Sequence, residues 1–502
     1  MSFKIIENNS AIPMQQIPVL NYEAFFEASS ALLSREHCHC VNYYAVPESG
    51  GLRLICCIAD DHTHKILVGS FIRSNDDTSA IESLTNRHFS MHIFEREIHE
   101  RFGIEFSGHP WLKPVRFPFD KKDKNSHFGN YPFYSIKSHE LHEVGVGPIH
   151  AGIIEPGHFR FICNGEKVLH LEIHLGFQHR GVESLMPIHK SLLQQTILAE
   201  SIAGDTVAGH NTAFINAMEA LAGITVSENI HISRTIACEL ERIAMHTADL
   251  SALCTDVAFQ LGSAVLQSLR TIIINTFMIW CGNRFARKLL RCGYEPYPLT
   301  PDLVNKIRQN LDTFEKRYVE VMDKTMDMPS VLARFDNTGI VSREQSRMIG
   351  TVGMAARTTG IIRDIRISHP YSFYHQMTHE TITLQGGDVK VRAKIRDLEV
   401  RQSLKYIREM LEKYDPVTNE DTFPVPVSLK PDMFVVSLAE GWRGEICHCA
   451  ITGKDGLLAQ YKIKDPSMHN WIALALAVRN NDISDFPVCN KSFNLSYCGY
   501  DL

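Results

Sequence analysis

The chain has 25 histidines and 13 cysteines among 502 residues, and their spacing decides which of them can do chemistry. His37-Cys38-His39-Cys40 is a run of potential metal ligands. Neighbours on one strand point to opposite faces, so all four cannot reach one ion. Cys447-His448-Cys449 has the same limitation, and Cys56-Cys57 sits in an apolar run that reads as core packing. No two cysteines are spaced CxxC, the usual metal clip of an intracellular enzyme. Glu239, Arg242 and His246 recur at i, i+3 and i+7 on one helix face, with Glu241 and Asp249 nearby. Arg363, Asp364 and Arg366 add a second charged group on the expected helix RDIRISHPY (363–371). Both groups read as buried ion networks, and such networks also hold polar cavities open.

These residues need a large scaffold, and the composition supplies one. The hydrophobic content is 44% and the charged content 22%, ordinary globular values that exclude wholesale disorder. A formal charge of -6 argues against a nucleic-acid binder or a polybasic membrane anchor. The start, MSFKIIENNSAIP, has no basic-then-apolar signal. The greasiest stretch, LRTIIINTFMIWCG at 269–282, falls short of the roughly 20 residues of a membrane span and reads as a core helix. The expected compartment is the cytoplasmic side of the inner membrane, with membrane association through partners.

The expected fold class is α+β. Residues 1–118 read as a small α/β domain with strand-like runs at 51–60 and 65–72, followed by a helix-like segment. Residues 119–146 are polar and aperiodic and read as a linker. Residues 147–502 begin with two or three strands and are then mainly helical, with further strands at the periphery. Three- and four-residue apolar spacing predicts helices at 232–259 and 302–324, and others are expected at 342–364, 389–413 and 467–479.

Several blocks carry a family resemblance. FEREIHERFGIEFSGHPWLKPVRFP (94–118) resembles the signature of the C-type (30 kDa) subunit of respiratory complex I. GPIHAGIIEPGHFRF (147–161), HRGVESLM (179–186), ELERIAMHTADL (239–250), ARTTGIIRDIRISHPY (356–371) and EGWRGE (440–445) resemble its D-type subunit. They resemble still more the large subunit of membrane-bound energy-converting [NiFe] hydrogenases of the formate hydrogenlyase type. Fusion of the two subunits in one chain also occurs in that type. There the metals are held by two CxxC pairs, in motifs like RVCGICGFAHS and SLDPCYSC. Here the stretches read SIAGDTVAGHN and SFNLSYCG, so the ligand positions fall on Ala203, Thr206, Ser496 and Gly499, while Gly204 and His210 are kept. Four soft thiolates are what such a centre requires, so no metal is expected here.

The resemblance also measures the chain against quinone chemistry. The complex I tyrosine that reaches the quinone aligns with Gly204, and of two histidines in GPQHPxxHG the first matches His150 and the second falls on Ile154. Asp256 matches an aspartate of that cavity. Arg443 matches the arginine overhanging the hydrogenase site, with Trp442 in place of the usual proline. Arg180, Glu183, His246, Arg363, Asp364 and Arg366 match as well.

The implied function is a peripheral-arm redox subunit of a complex I-like or hydrogenase-like oxidoreductase, coupling electron transfer at a former NiFe, quinone-type cavity to ion translocation without H2 chemistry. Arg443 and Arg363 would stabilise negative charge, with Asp364 beside them, and Glu155, Glu183, His246 and Asp256 would carry protons. His150, Arg180, Gly204 and His210 would line the ligand site. The chain itself would hold no cofactor beyond a possible quinone. An iron–sulfur cluster would sit in a small partner subunit like the B-type subunit of complex I. Membrane partners would include H-type and antiporter-like chains, with no nucleic acid. The alternative is a non-catalytic scaffold that docks the iron–sulfur subunit onto the membrane arm. A third reading places another metal on His210 and Cys498.

Overall fold

The computed structural model describes residues 3–116, 131–152, 154–416 and 422–502. The first part of the expected linker, 119–130, lies outside the described residues. The fold is α+β, as the sequence predicts.

The N-terminal region holds β1 (Lys4–Ile6), β2 (Ile12–Pro13), β3 (Val19–Leu20), α1 (Tyr22–Leu33), β4 (Cys38–Glu48), β5 (Gly51–Asp60) and β6 (Lys65–Ser74). The short strands β7 (Ile81–Glu82) and β8 (Phe106–Ser107) flank α2 (His92–Phe102). The main sheet runs β1-β6-β5-β4, with β3 on β6. Its strands carry apolar residues on both sides. Tyr43, Leu54, Cys56 and Ile58 pack in the core that includes Phe25 of α1 and Phe94 of α2. Val41, Ile55 and Cys57 pack in a second core with Phe434, Val436 and Cys447. A strand buried on both faces reads as a continuous apolar run, which is why GLRLICCIAD does not alternate.

The remainder begins with β9 (His142–Val146), β10 (His158–Asn164) and β11 (Lys167–His174), a three-stranded sheet in which Asn164-Gly165 sits at the β10–β11 turn. Helices follow: α3 (Val182–Ile188), α4 (Leu192–Ala199), α5 (Val207–Ala222), α6 (Glu228–Asp256), α7 (Gln260–Cys281), α8 (Pro301–Asp327), α9 (Pro329–Phe335), α10 (Arg343–Ile349), α11 (Gly353–Arg357), α12 (Ile365–Ser368) and α13 (Val389–Lys413). A second meander, β12 (Met433–Glu440), β13 (Glu445–Thr452) and β14 (Leu458–Lys464), precedes α14 (Ser467–Ala477), α15 (Phe486–Phe493) and α16 (Tyr497–Tyr500).

The described part of 119–146 packs on the second half of the chain: Tyr131 stacks on His174 with ring centroids 4.3 Å apart, and β9 pairs with β10. The two halves are also stitched together, because β2 pairs with β12 and extends the second meander. The helix expected over 342–364 breaks at Gly350, which caps α10 in the left-handed region, and only α11 resumes it. Likewise only Ile365–Ser368 of RDIRISHPY is helical; Asp364 caps its start, and Pro370 follows its C-cap residue His369.

Helix α7 is longer than the greasy run in the sequence. By length and composition it is the one helix among the described residues able to cross a membrane. It packs between α6 and α8, with Leu269, Ile273 and Phe277 buried and Leu261, Met278 and Ile279 exposed. That is the pattern of a bundle helix with one uncovered apolar face. All thirteen cysteines are free and buried.

Candidate functional site

Two loops build the site. The first precedes α5. The backbone N–H groups of Ala208 and Gly209 donate to the Glu241 carboxyl at 2.7 and 3.1 Å, which satisfies two free donors at the helix N-terminus. Arg180 holds the other end of the loop through the carbonyls of Ser201 and Ile202, at 2.6 and 2.8 Å. Between these anchors Asp205 projects outward. The second loop is the tight β12–β13 turn, closed by reciprocal Gly441–Gly444 backbone hydrogen bonds of 2.9 and 3.0 Å. Its Gly444 has φ +137° and presses on Gly353, where an added Cβ would stand 2.1 Å from the Gly444 Cα. No side chain fits at either position.

Arg443 sits in this turn and is fully engaged. Its guanidinium donates to both Asp205 oxygens at 2.7 and 2.6 Å, to Thr206 Oγ1 at 3.1 Å and to the Asn494 carbonyl at 2.5 Å. It also stacks on Trp442, 3.9 Å from the ring centroid, and the indole N–H donates to the Asp205 carbonyl at 2.8 Å. Arg443 itself is almost fully buried, while the Asp205 side chain is 35% exposed. The pair therefore has one wet side. Burial works against the Asp205 charge, but Arg443 and Thr206 outweigh it and hold the carboxyl below its usual range. Glu155 lies exposed at the mouth, with its carboxyl raised by partial desolvation and by the Asp205 charge.

Behind the pair runs a buried hydrogen-bonded chain. Asp465 bonds His210 Nε2 at 2.9 Å, His210 Nδ1 lies 3.1 Å from His448 Nε2, and His448 Nδ1 lies 2.8 Å from the Tyr461 hydroxyl. Burial pushes His448 well below the usual histidine range, which favours the neutral ring with one N–H donor and one acceptor nitrogen. Glu241 is also buried, and burial lifts its carboxyl up to about 8 against its two backbone hydrogen bonds.

The positions where the hydrogenase pattern places thiolates do not fit a metal. Ala203 is apolar and buried. Thr206 is bound to Arg443, and Ser496 Oγ caps α16 by accepting from Gly499 N at 2.9 Å. A Cβ on Gly499 would meet Asp465 at 2.6 Å and Ser496 Oγ at 2.9 Å, so there is no room for a cysteine. The alternative ligand His210 has both nitrogens engaged.

The other expected residues divide. Gly204 faces open space, where an added Cβ would meet nothing within 4 Å. His150 bonds the Gly157 carbonyl at 2.8 Å and braces its own loop. Asp256 is exposed at the end of α6. Glu183 belongs elsewhere: it bonds Lys462 at 2.9 Å, in an ion cluster with Glu97 and Arg116 between the two halves. Arg363 does not converge with Arg443. It donates to the Thr351 carbonyl at 3.1 Å and lines a different cleft with His39 and Asp61. Asp364 grips Arg366 at 3.0 and 2.7 Å inside the bundle, and His379 bonds it at 3.0 Å.

His246 joins that bundle network through Glu399 at 2.8 Å, and its ring meets Trp442 edge-on at 5.9 Å. Arg357 is the hub: it pairs with Glu440 at 2.8 Å, with Glu399, and with Asp364 at 3.8 Å. Sequence reading missed Asp205, Glu399, Glu440 and Asp465. Asp205 left a signal, since an acid replaces the apolar residue between the two cysteines of the resembled motif.

Comparison with known proteins follows the same division. The family described as "Respiratory-chain NADH dehydrogenase, 30 Kd subunit" matches residues 20–124, and "Respiratory-chain NADH dehydrogenase, 49 Kd subunit" matches 256–433. Matches to both complex I family models thus lie in one polypeptide. The fusion is 25% identical over 470 residues to the C/D fusion subunit of NADH-quinone oxidoreductase from Phocaeicola vulgatus, covering 87% of this chain and 89% of that one. It is 27% identical over 421 residues to "Formate hydrogenlyase subunit 5" of Escherichia coli, covering 80% and 74%. It is 26% identical over 371 residues to "Membrane-bound hydrogenase subunit alpha" of Pyrococcus furiosus, covering 70% and 85%. The fusion is thus similar both to complex I subunits and to membrane-bound hydrogenase components.

Proposed function

We propose that this fusion is a peripheral-arm redox-coupling subunit of a membrane-bound complex I-like oxidoreductase, and that it works without H2 chemistry. The observation that carries the reading is the Arg443–Asp205 pair, which stands where the hydrogenase pattern would place a thiolate-bound metal. A buried arginine with one wet, exchangeable carboxylate partner is suited to meet an incoming anionic or reduced acceptor of quinone type. Asp205 would give way to the acceptor's charge, and Glu155 at the mouth would supply a proton. The Asp465–His210–His448–Tyr461 chain would relay protons inward.

Electrons would arrive from an iron–sulfur cluster in a small partner subunit. Exposed Ile149 and Ile154 beside Glu155, with Ile188, Leu193 and Ile197 on α3 and α4, supply apolar surface for such a neighbour. Membrane chains of the H and antiporter types would take up the coupled movement, on the cytoplasmic side. The scaffold alternative has its own support, because Arg443 is satisfied entirely within the chain.

The deciding experiment uses the assembled complex carrying Arg443→Ala or Asp205→Asn. Loss of reduction of a soluble quinone analogue, with the complex still assembled, supports the coupling role. Unchanged turnover in both variants removes the pair from the mechanism and leaves the scaffold. Hydrogen evolution that depends on this chain would overturn the assignment away from H2 chemistry.

A further inference from the structure

The ligand-rich run at 37–40 plays no part in the Arg443 site. As expected, its four side chains do not converge. His39 turns to the second half of the chain and bonds Glu445 at 2.6 Å, while Cys40 packs in the apolar core. The remaining two meet a residue from another strand. Cys38 opens β4 and is the cross-strand partner of Asp60 at the end of β5. His37 precedes it, with Nε2 3.7 Å from Asp60 Oδ1. The imidazole, thiol and carboxylate ligand atoms all lie within 4.8 Å of one another. His62, in the following turn, places its ring centroid 5.6 Å from that of His37.

We propose that His37, Cys38 and Asp60 form a zinc-class divalent cation site, with the fourth position left to water. The donor chemistry is the borderline nitrogen–sulfur–oxygen mixture that zinc accepts, and tetrahedral bonds of about 2.0–2.3 Å place donors roughly 3.3–3.7 Å apart. Only small side-chain adjustments close the present separations. Charge also balances, because one thiolate and one carboxylate neutralise a divalent ion. Binding forms the metal–sulfur bond and releases the thiol proton to solvent. The Asp60 Oδ1 atom already accepts from the backbone N–H groups of His62 and Thr63, both at 3.1 Å, which orients the carboxylate and the turn carrying His62.

The location gives the site a purpose. His37 and Cys38 line a cleft of about 650 Å³, whose far wall carries Arg343, Arg347, Arg363 and His469 from the second half. The adjacent His39–Glu445 bond, reinforced by Lys464, is a direct contact between the two halves. A cation at His37, Cys38 and Asp60 would pin the start of β4 to the β5–β6 turn and fix where His39 meets Glu445. The assignment is independent of the Arg443 reading.

The test is a Co2+ titration of the reduced, chelator-stripped full chain. One equivalent should bind with a thiolate-to-cobalt absorption band in the near ultraviolet, and zinc should bleach it. Cys38→Ser should abolish the band. His37→Ala, which changes an exposed side chain and leaves the fold intact, should weaken affinity about tenfold or more, since losing even a residue that only supports a ligand costs about 10–100-fold. Zinc should raise the Tm of the parent chain more than that of His37→Ala. Absence of the band, its survival in Cys38→Ser, or unchanged affinity in His37→Ala overturns the site. If Cys38→Ser fails to fold, the His37→Ala result decides.

Discussion

The Arg443 mouth and the Arg357 network are two clusters of buried charge only a ring apart, and they are built on opposite principles. At the mouth, one arginine meets one carboxylate that keeps a third of its surface in water. In the bundle, Arg242, Arg357 and Arg366 face Glu239, Asp364, Glu399 and Glu440, all almost fully buried and cross-bonded by Tyr374, Ser403 and His379. The bundle network pairs every one of these charges within the chain and keeps no wet side, although Arg242 Nε, Arg357 Nε and His246 Nδ1 are left without a hydrogen-bond partner. The mouth is also paired, but by a partner that solvent or a ligand can displace. Under the proposed function, replaceable pairing and not buried charge alone is what sets the mouth apart.

Mutations should separate the two clusters. Glu399→Ala removes the carboxylate shared by Arg357, Arg242 and His246 inside the bundle and should cost about 3–5 kcal/mol of stability, read as a lower denaturation midpoint. A loss below about 1 kcal/mol would show that water enters the network and would erase the contrast. Gly499→Cys, which restores a lost thiol position, forces its Cβ against Asp465 and Ser496. It should cost about 1–3 kcal/mol without creating a metal site, checked by denaturation and metal analysis.

Asp205→Asn at the half-wet mouth should cost only about 1 kcal/mol, because solvent screens what is lost. Its effect should appear in acceptor reduction by the assembled complex instead. The last prediction concerns slope. The Glu241 carboxyl is lifted from 4.5 to about 8 in the folded chain, so the folded state binds the extra proton between those values. The Glu241 contribution to stability therefore falls as pH rises from 4.5 to 8, and Glu241→Gln should remove that downward component, read as the difference between the two Tm-against-pH curves.

Much of the fold is legible in the sequence, and the exceptions have local causes. The helix expected at 389–413 coincides with α13, because its apolar spacing is unbroken from Val389 to Leu411. The 342–364 helix fails because glycine at 350 reverses the backbone. β9 is invisible to periodicity: His142, Glu143 and Gly145 are not a strand signature, and they pair only because β10 offers an edge.

In the site, motif matching finds Arg443 and the four missing thiols directly. It misses Asp205, since a template built around cysteines treats the intervening residue as filler. It also groups Arg363 with Arg443, whereas Arg363 turns toward Asp61 across a separate cleft. Sequence order carries no information about which side of a turn an arginine takes.

The glycine contact at 353 and 444 gives the two clusters a mechanical relation. Two backbones touching without side chains form a bearing that transmits motion with little slack. Gly444 follows Arg443 in the turn, and Gly353 begins the short helix that ends in Arg357. A ligand that draws Arg443 outward by even a fraction of an ångström would slide one backbone along the other. On the proposed coupling role, that movement would act as a lever on the hub of the bundle network and would turn charge at the mouth into displacement of the helices behind it.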